Sequence, residues 1–228
     1  MTLRDRKEIA SPFGLFETKS NRGEHSSLPN EKRHSQIGKS DEKDRWDKVA
    51  ASLNGEAISL RSLKAELRFV WKERRLSIST QRRKEAAEKL LTLPCEGYIA
   101  SFSSFGSEIE THFLNARLME EKRLILPKVV GDELHFFHVE TPSQLELSPW
   151  GILEPISSCK SAEEISTVLV PGLSFDKNRF RLGYGKGHYD RFLSKTKTVS
   201  LGIGFQEQFT DSLPHELHDC SVDHLVLV

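Results

Sequence analysis

The sequence predicts an α/β domain built on a mainly parallel sheet, preceded by an N-terminal extension that does not join it. Three observations carry this. From Leu60 onward, short apolar runs alternate with segments of helical periodicity, the pattern of strands joined by crossover helices. The run Thr167-Val168-Leu169-Val170 reads as a buried strand, stopped by Pro171-Gly172. Before residue 58 neither pattern exists.

Residues 1–57 mix Ser, Asn, Gly, Lys, Glu and His, as in Thr18-Lys19-Ser20-Asn21-Arg22-Gly23-Glu24-His25-Ser26-Ser27. Their sparse apolar residues follow neither period 2 nor period 3.6. Such a stretch cannot bury enough surface to offset its ordering entropy, so it reads as disordered, with room for a short helix near 41–51. A single domain is expected over 58–228. Its first helix places Leu60, Leu63, Leu67 and Trp71, with Val70, on one face, flanked by Lys64, Glu66 and Arg68. Ser79 or Thr80 can cap a second helix carrying Ala86, Leu90 and Leu91. Tyr98–Phe102 reads as a strand and Glu108–Lys122 as a helix. Leu124–Leu126 and Leu134–Val139 read as strands joined by a turn at Gly131-Asp132. Thr141–Pro155, broken by three prolines, reads as loop. After a glycine-rich loop, Tyr189–Ser194 is helical, and Val199–Gly204 and Leu225–Val228 close the chain as strands.

Composition narrows the function. With 33 basic and 33 acidic residues the formal net charge is zero, which argues against nucleic acid as partner. No apolar run is long enough for a transmembrane helix, and the N-terminus lacks the apolar core of a secretory signal. Asp5 and Glu8 argue against a mitochondrial transit peptide. Cys95, Cys159 and Cys220 are scattered, as reduced thiols in a cytoplasmic protein would be.

Chemistry concentrates in Arg181-Leu182-Gly183-Tyr184-Gly185-Lys186-Gly187-His188-Tyr189-Asp190. Glycines at 183, 185 and 187 let backbone N–H groups turn toward one point, making an anion nest, and the helix that follows adds its dipole. Arg181 and Lys186 bring positive charge. Asp190 falls in the first helical turn, where it could hold Mg²⁺. The whole reads as a nucleotide-phosphate site; a tight strand-to-helix turn without ligand is the alternative. The P-loop pattern fails: Gly38-Lys39-Ser40 has Arg33 where its first glycine belongs. The dinucleotide pattern fails because His188 stands at its third glycine, and Gly202-x-Gly204 runs into Glu207. Ser174 and Cys220 lack the setting of an activated nucleophile. His215, His218 and His224 match no zinc spacing.

Val170-Pro171-Gly172-Leu173-Ser174-Phe175-Asp176, followed by Arg181 through Leu193, closely resembles the signature of the 5-formyltetrahydrofolate cyclo-ligase (methenyltetrahydrofolate synthetase) family. Lys64-Ala65-Glu66-Leu67-Arg68 resembles the family's first-helix K-x-x-L-R, and Glu108-Ile109-Glu110-Thr111 its acidic segment after the first strand. Leu126-Pro127-Lys128, Trp150–Pro155 and Val222-Asp223 follow in the same order, so the resemblance spans about residues 60–228.

The resemblance implies a three-layer α/β domain of the type shared with sugar-phosphate isomerases and CoA transferases. It implies an enzyme that uses ATP and Mg²⁺ to cyclise 5-formyltetrahydrofolate to 5,10-methenyltetrahydrofolate through a phosphorylated formyl group. ATP would contact Lys64, Ala65, Glu66, Leu67 and Arg68, and Arg181, Leu182, Gly183, Tyr184, Gly185, Lys186, Gly187, His188 and Tyr189. Lys186 and Arg181 would stabilise charge on the transferred phosphoryl group. Folate would contact Ser103, Glu108, Tyr184, Gly185, Lys186, Gly187 and His188, with Glu108 receiving the pterin's donors. Ser103 departs from an apolar residue in the family, and His188 from an aromatic one. Asp190 and Asp223 would hold Mg²⁺. By residue type alone, Lys64 and Arg68 also fit a solvated helix face, Asp223 a turn, and Trp150 either the pterin or the core. The expected partners are small molecules, with no nucleic acid or membrane, and a monomer is expected.

Overall fold

The computed structural model describes residues 59–228. The extension expected over residues 1–57, with its optional helix, lies outside the described residues. The chain divides into two units, Met1–Ser62 and Leu63–Val228. Of the first only 59–62 is described, where the Ser62 N–H donates to Ser59 Oγ at 3.2 Å, an N-cap bond. The second unit carries the fold.

Helix α1 (Leu60–Leu76) buries Leu63, Leu67 and Trp71 as its period requires, together with Lys64 and Arg75. Helix α2 (Thr80–Leu91) is capped by Ser79, whose Oγ accepts the Arg82 N–H at 3.2 Å, and buries Ala86, Ala87 and Leu90. Strand β1 (Ile99–Ala100) is shorter than its apolar run, since only these two residues pair on both sides. Helix α3 (His112–Glu120) starts later than expected. Side chains hold the chain before it instead: Thr111 Oγ1 and Asn115 Nδ2 both donate to the Phe102 carbonyl, at 2.7 and 3.0 Å.

Strands β2 (Leu124–Val130) and β3 (Glu133–His138) form an antiparallel hairpin around Gly131, whose φ is +62°. The expected loop at Thr141–Pro155 is in fact a small ribbon, β4 (Leu145–Leu147) against β5 (Leu153–Pro155). The prolines do not prevent it: one precedes β4, one lies in the turn, and one ends β5. Strand β6 (Thr167–Pro171) leads to β7 (Ser174–Asp176) and β8 (Arg181–Leu182), then to helix α4 (His188–Leu193). Strand β9 (Val199–Gly204), the two-residue β10 (Phe209–Thr210) and β11 (His224–Leu227) complete the chain.

The main sheet has the order β11-β9-β6-β1-β2-β3 and is parallel except at the edge strand β3. Ala100, Ile125, Phe136, Val168 and Val170 share one face and pack against Tyr189, Phe192 and Leu193 of α4. The alternate residues Ile99, Leu124, Leu126 and Leu169 point to the other face and are equally buried. Covered on both faces, the sheet is the middle of three layers, as expected. A second sheet, β10-β7-β8, continues from the end of β6. Its Phe175 explains three glycines: a Cβ at Gly172, Gly202 or Gly204 would lie 2.8–3.0 Å from this buried ring. The Gly202-x-Gly204 pair thus makes room for Phe175.

Candidate active site

The glycine loop leaves β8 and enters α4 beside the buried face of α1. Gly185 has φ +93° and Gly187, the residue preceding α4, has φ +67°, so two of the three glycines use the left-handed region. Arg68 Nε donates to the Gly183 carbonyl at 2.9 Å, and its guanidinium lies so close under Gly185 that a Cβ there would be 2.9 Å from Cζ. Lys186 is exposed and forms no ion pair among the described residues. Leu182 is core. On α1, Leu67 is core, while Ala65 and Glu66 face solvent.

Further along α1, Arg75 is 1% exposed. Its Nε donates to Ser107 Oγ at 3.0 Å, Nη1 to the Gly172 carbonyl at 3.1 Å, and Nη2 to the Tyr184 hydroxyl. Nη1 is also 4.0 Å from Glu108 Oε1. Glu108 is buried and accepts the Phe105 N–H at 3.0 Å. Burial raises its pKa above the usual carboxylate range, against the opposing pull of the Phe105 N–H, Arg75 and Tyr184. Burial and the Glu108 charge likewise raise the Tyr184 phenol, whose ring stays half-exposed. Tyr189 is shifted the same way by the same two causes. A buried carboxylate, a half-exposed ring and the glycine loop therefore meet at Tyr184.

At the opposite end of the α1 face, Lys64 Nζ lies 2.9 Å from Glu216 Oε2 and 2.5 Å from Asp219 Oδ2. Burial pulls the Lys64 pKa down, but the two carboxylates outweigh it and leave it raised. Asp190 stands in the first turn of α4, yet its Oδ1 accepts Arg181 Nη2 at 3.0 Å and the Cys220 N–H at 3.1 Å. Arg181 is spent on this pair and on the Cys220 carbonyl at 3.1 Å, and its side chain is 4% exposed, so it does not face the open loop. Asp223 meets neither the loop nor α1. Its Oδ2 accepts the Ser200 N–H at 2.8 Å and Oγ at 2.7 Å, tying the start of β11 to β9, and these bonds lower its pKa. Of the two carboxylates that come to Lys64, Asp219 is the one next to Asp190's partner Cys220.

His188 turns to the β2–β3 hairpin, with Nδ1 3.0 Å from the Asp132 carbonyl, which Arg191 Nε also holds at 2.9 Å. Ser103 lies in the segment after β1 and makes no hydrogen bond among the described residues. Trp150 is 77% exposed, so it is not a core residue. The Ser174 hydroxyl is buried on the Gln208 carbonyl at 2.8 Å.

Residues 54–228 match the model of the 5-formyltetrahydrofolate cyclo-ligase family. The chain belongs to this family. A 5-formyltetrahydrofolate cyclo-ligase of Mus musculus is 27% identical over 75% of this chain and 96% of its own length. Among solved structures, the 5,10-methenyltetrahydrofolate synthetase of Aquifex aeolicus has TM-score 0.65 and 34% identity, covering 72% of this chain and 89% of that one. The Mycoplasma pneumoniae synthetase has TM-score 0.56 and 25% identity, covering 71% and 96%. For a cyclo-ligase family member, two site residues were not expected from the sequence. Arg75 carried a signal: it follows Arg68 by seven positions, so it shares the buried face of α1. Asp219 carried none, since it sits in a segment without regular structure.

Proposed function

We propose that this site converts 5-formyltetrahydrofolate and ATP to 5,10-methenyltetrahydrofolate, ADP and phosphate, with Mg²⁺. The observation that supports it is the meeting at Tyr184 of a buried carboxylate and a cation-flanked glycine loop. Glu108 offers two acceptor oxygens to the adjacent 2-amino and N3–H donors of a pterin. The loop offers backbone N–H groups to phosphate, with Lys186 exposed beside them and Arg68 beneath.

The formyl oxygen attacks the γ-phosphorus. A new P–O bond forms and the bond to the β-bridging oxygen breaks, releasing ADP. The oxygen at the formyl carbon is now a phosphate ester, a far better leaving group. N10 attacks that carbon, the C–O bond breaks with its electrons leaving on phosphate, and N10 loses its proton. The chain's part is to align the reactants and balance charge. Lys186 and Arg68 stabilise the transferred phosphoryl group, and Arg181 holds Asp190 in place.

Mg²⁺ prefers hard oxygen donors and takes one or two carboxylates besides phosphate. Asp190 and Asp219, which flank Cys220, fit that description: the second oxygen of each accepts no hydrogen bond among the described residues. They would hold the ion, whose charge neutralises phosphate oxygens. Asp223, the other carboxylate expected there, bonds Ser200 through Oδ2 alone, so its Oδ1 is equally open among the described residues. No helix among the described residues is long and apolar enough to cross a membrane. The three cysteines are free, and we place the enzyme in the cytoplasm as a monomer.

The test is direct. Purified protein with 5-formyltetrahydrofolate and Mg-ATP should develop the strong near-ultraviolet absorbance of the methenyl product, matched by ADP. ADP release on another substrate, or tight folate binding without turnover, would overturn the proposal.

A further inference from the structure

We propose that Arg75 is a positioning residue of this site, fixing the Glu108 carboxylate and the Tyr184 phenol together and so coupling the pterin contact to the phosphate loop. This rests on the function proposed above. A guanidinium is a rigid planar fork that stays charged, so three segments bonded to it are held in one arrangement. Here those segments are the turn before α3 through Ser107, the end of β6 through the Gly172 carbonyl, and the glycine loop through the Tyr184 hydroxyl. Lys186, two residues beyond Tyr184, inherits that placement.

Arg75, together with the Phe105 N–H, also helps keep Glu108 ionised against its burial. The groups facing this carboxylate are Arg75 from α1, Tyr184 from the loop, Tyr189 from α4 and the Phe105 N–H from its own turn. Arg75 is the one cation among them. An ionised Glu108 accepts two donors side by side; a protonated one turns a donor toward the pterin's donors. Removing Arg75 leaves burial to raise the Glu108 pKa further. The acid side of folate recognition therefore moves upward in pH.

The test uses the full chain with Arg75→Gln, Arg75→Lys and Tyr184→Phe. Binding of 5-formyltetrahydrofolate and its KM and kcat are followed from mildly acid to mildly alkaline pH. In Arg75→Gln the acid-side rise in folate Kd and KM should begin about one pH unit higher, a loss of roughly tenfold within that window. Arg75→Lys should restore the pH profile but not kcat, because a point charge lacks the fork. Tyr184→Phe should raise both the folate and ATP KM about threefold or more, and it decides the matter if Arg75→Gln does not fold. A uniform loss at all pH values, or unchanged KM in Tyr184→Phe, overturns the proposal. A wild-type enzyme that binds folate with this pH profile but makes no methenyl product would sink the proposed reaction and leave the role of Arg75 standing.

Discussion

Replacing Gly185 by Ala probes the loop where its geometry is most demanding. At φ +93° an L-residue is strained by about 1–2 kcal/mol. The new Cβ would also lie 2.9 Å from Arg68 Cζ and 3.1 Å from Nη2, so the guanidinium must move. That breaks its 2.9 Å bond to the Gly183 carbonyl, worth about 1 kcal/mol. The sum is about 2–3 kcal/mol, or roughly 4–12 °C in Tm for a domain of this size. Gly183→Ala is the control, since Gly183 lacks a positive φ and a Cβ there meets nothing within 4 Å. Its Tm should stay within about 1 °C. Thermal melts give the stabilities, and methenyl absorbance against ATP concentration gives KM. Gly185→Ala should raise the ATP KM about tenfold, because Arg68 is displaced from the phosphates. If both variants melt alike, or Gly185→Ala keeps its ATP KM, Arg68 does not serve the loop as argued.

Three further outcomes follow from the same contacts. Glu108→Gln should raise the folate KM at least about tenfold while Tm at neutral pH holds or rises. The folded pKa of Glu108 is raised, so its ionisation costs stability as pH climbs through that value, and Gln removes the cost; a melt that falls at neutral pH would contradict this. Lys64→Met should raise the ATP KM and make the protein more acid-sensitive in a circular-dichroism pH titration. Burial alone would raise the Asp219 pKa, but the bonds from Lys64 and the Glu216 N–H outweigh it and hold it below the ordinary aspartate value. A depressed carboxylate adds stability above its unfolded pKa and loses it as pH falls through the folded one, so an unmoved acid midpoint would discount the pair. His188→Tyr should leave turnover within about twofold, because Arg191 still holds the Asp132 carbonyl; a large loss would give His188 a role of its own.

The sequence made some of this architecture legible because period and burial coincide. Leu63, Leu67 and Trp71 mark α1, and Thr167–Val170 and Val199–Gly204 mark two central strands. The second sheet was not legible. Its strands are two or three residues long, too short for any period, and β7 is specified by Phe175 filling space left by the nearby Gly172 and the distant Gly202 and Gly204. The β4–β5 ribbon hid behind its prolines, which mark turns and strand ends as readily as loops.

The site divides the same way. Lys64 and Arg68 lie four residues apart, so one helix face had to carry both. Arg75 extends that row, and over 11 residues α1 runs about 17 Å, from Asp219 to Glu108. One helix thus lays three cations along one face whose ends meet two separate carboxylate groups, with the glycine loop meeting it at Arg68. Opposite demands explain the burial of these cations. Arg68 and Arg75 lie on this face to reach the loop, Lys64 to reach the segment before β11, and each is tolerated there because it has a partner: Glu216 and Asp219 for Lys64, the Gly183 carbonyl for Arg68, and Ser107, Gly172, Tyr184 and Glu108 for Arg75. A cation set in an apolar stripe is therefore the feature that joins the fold to the chemistry, because only the folded partners around it make its burial affordable.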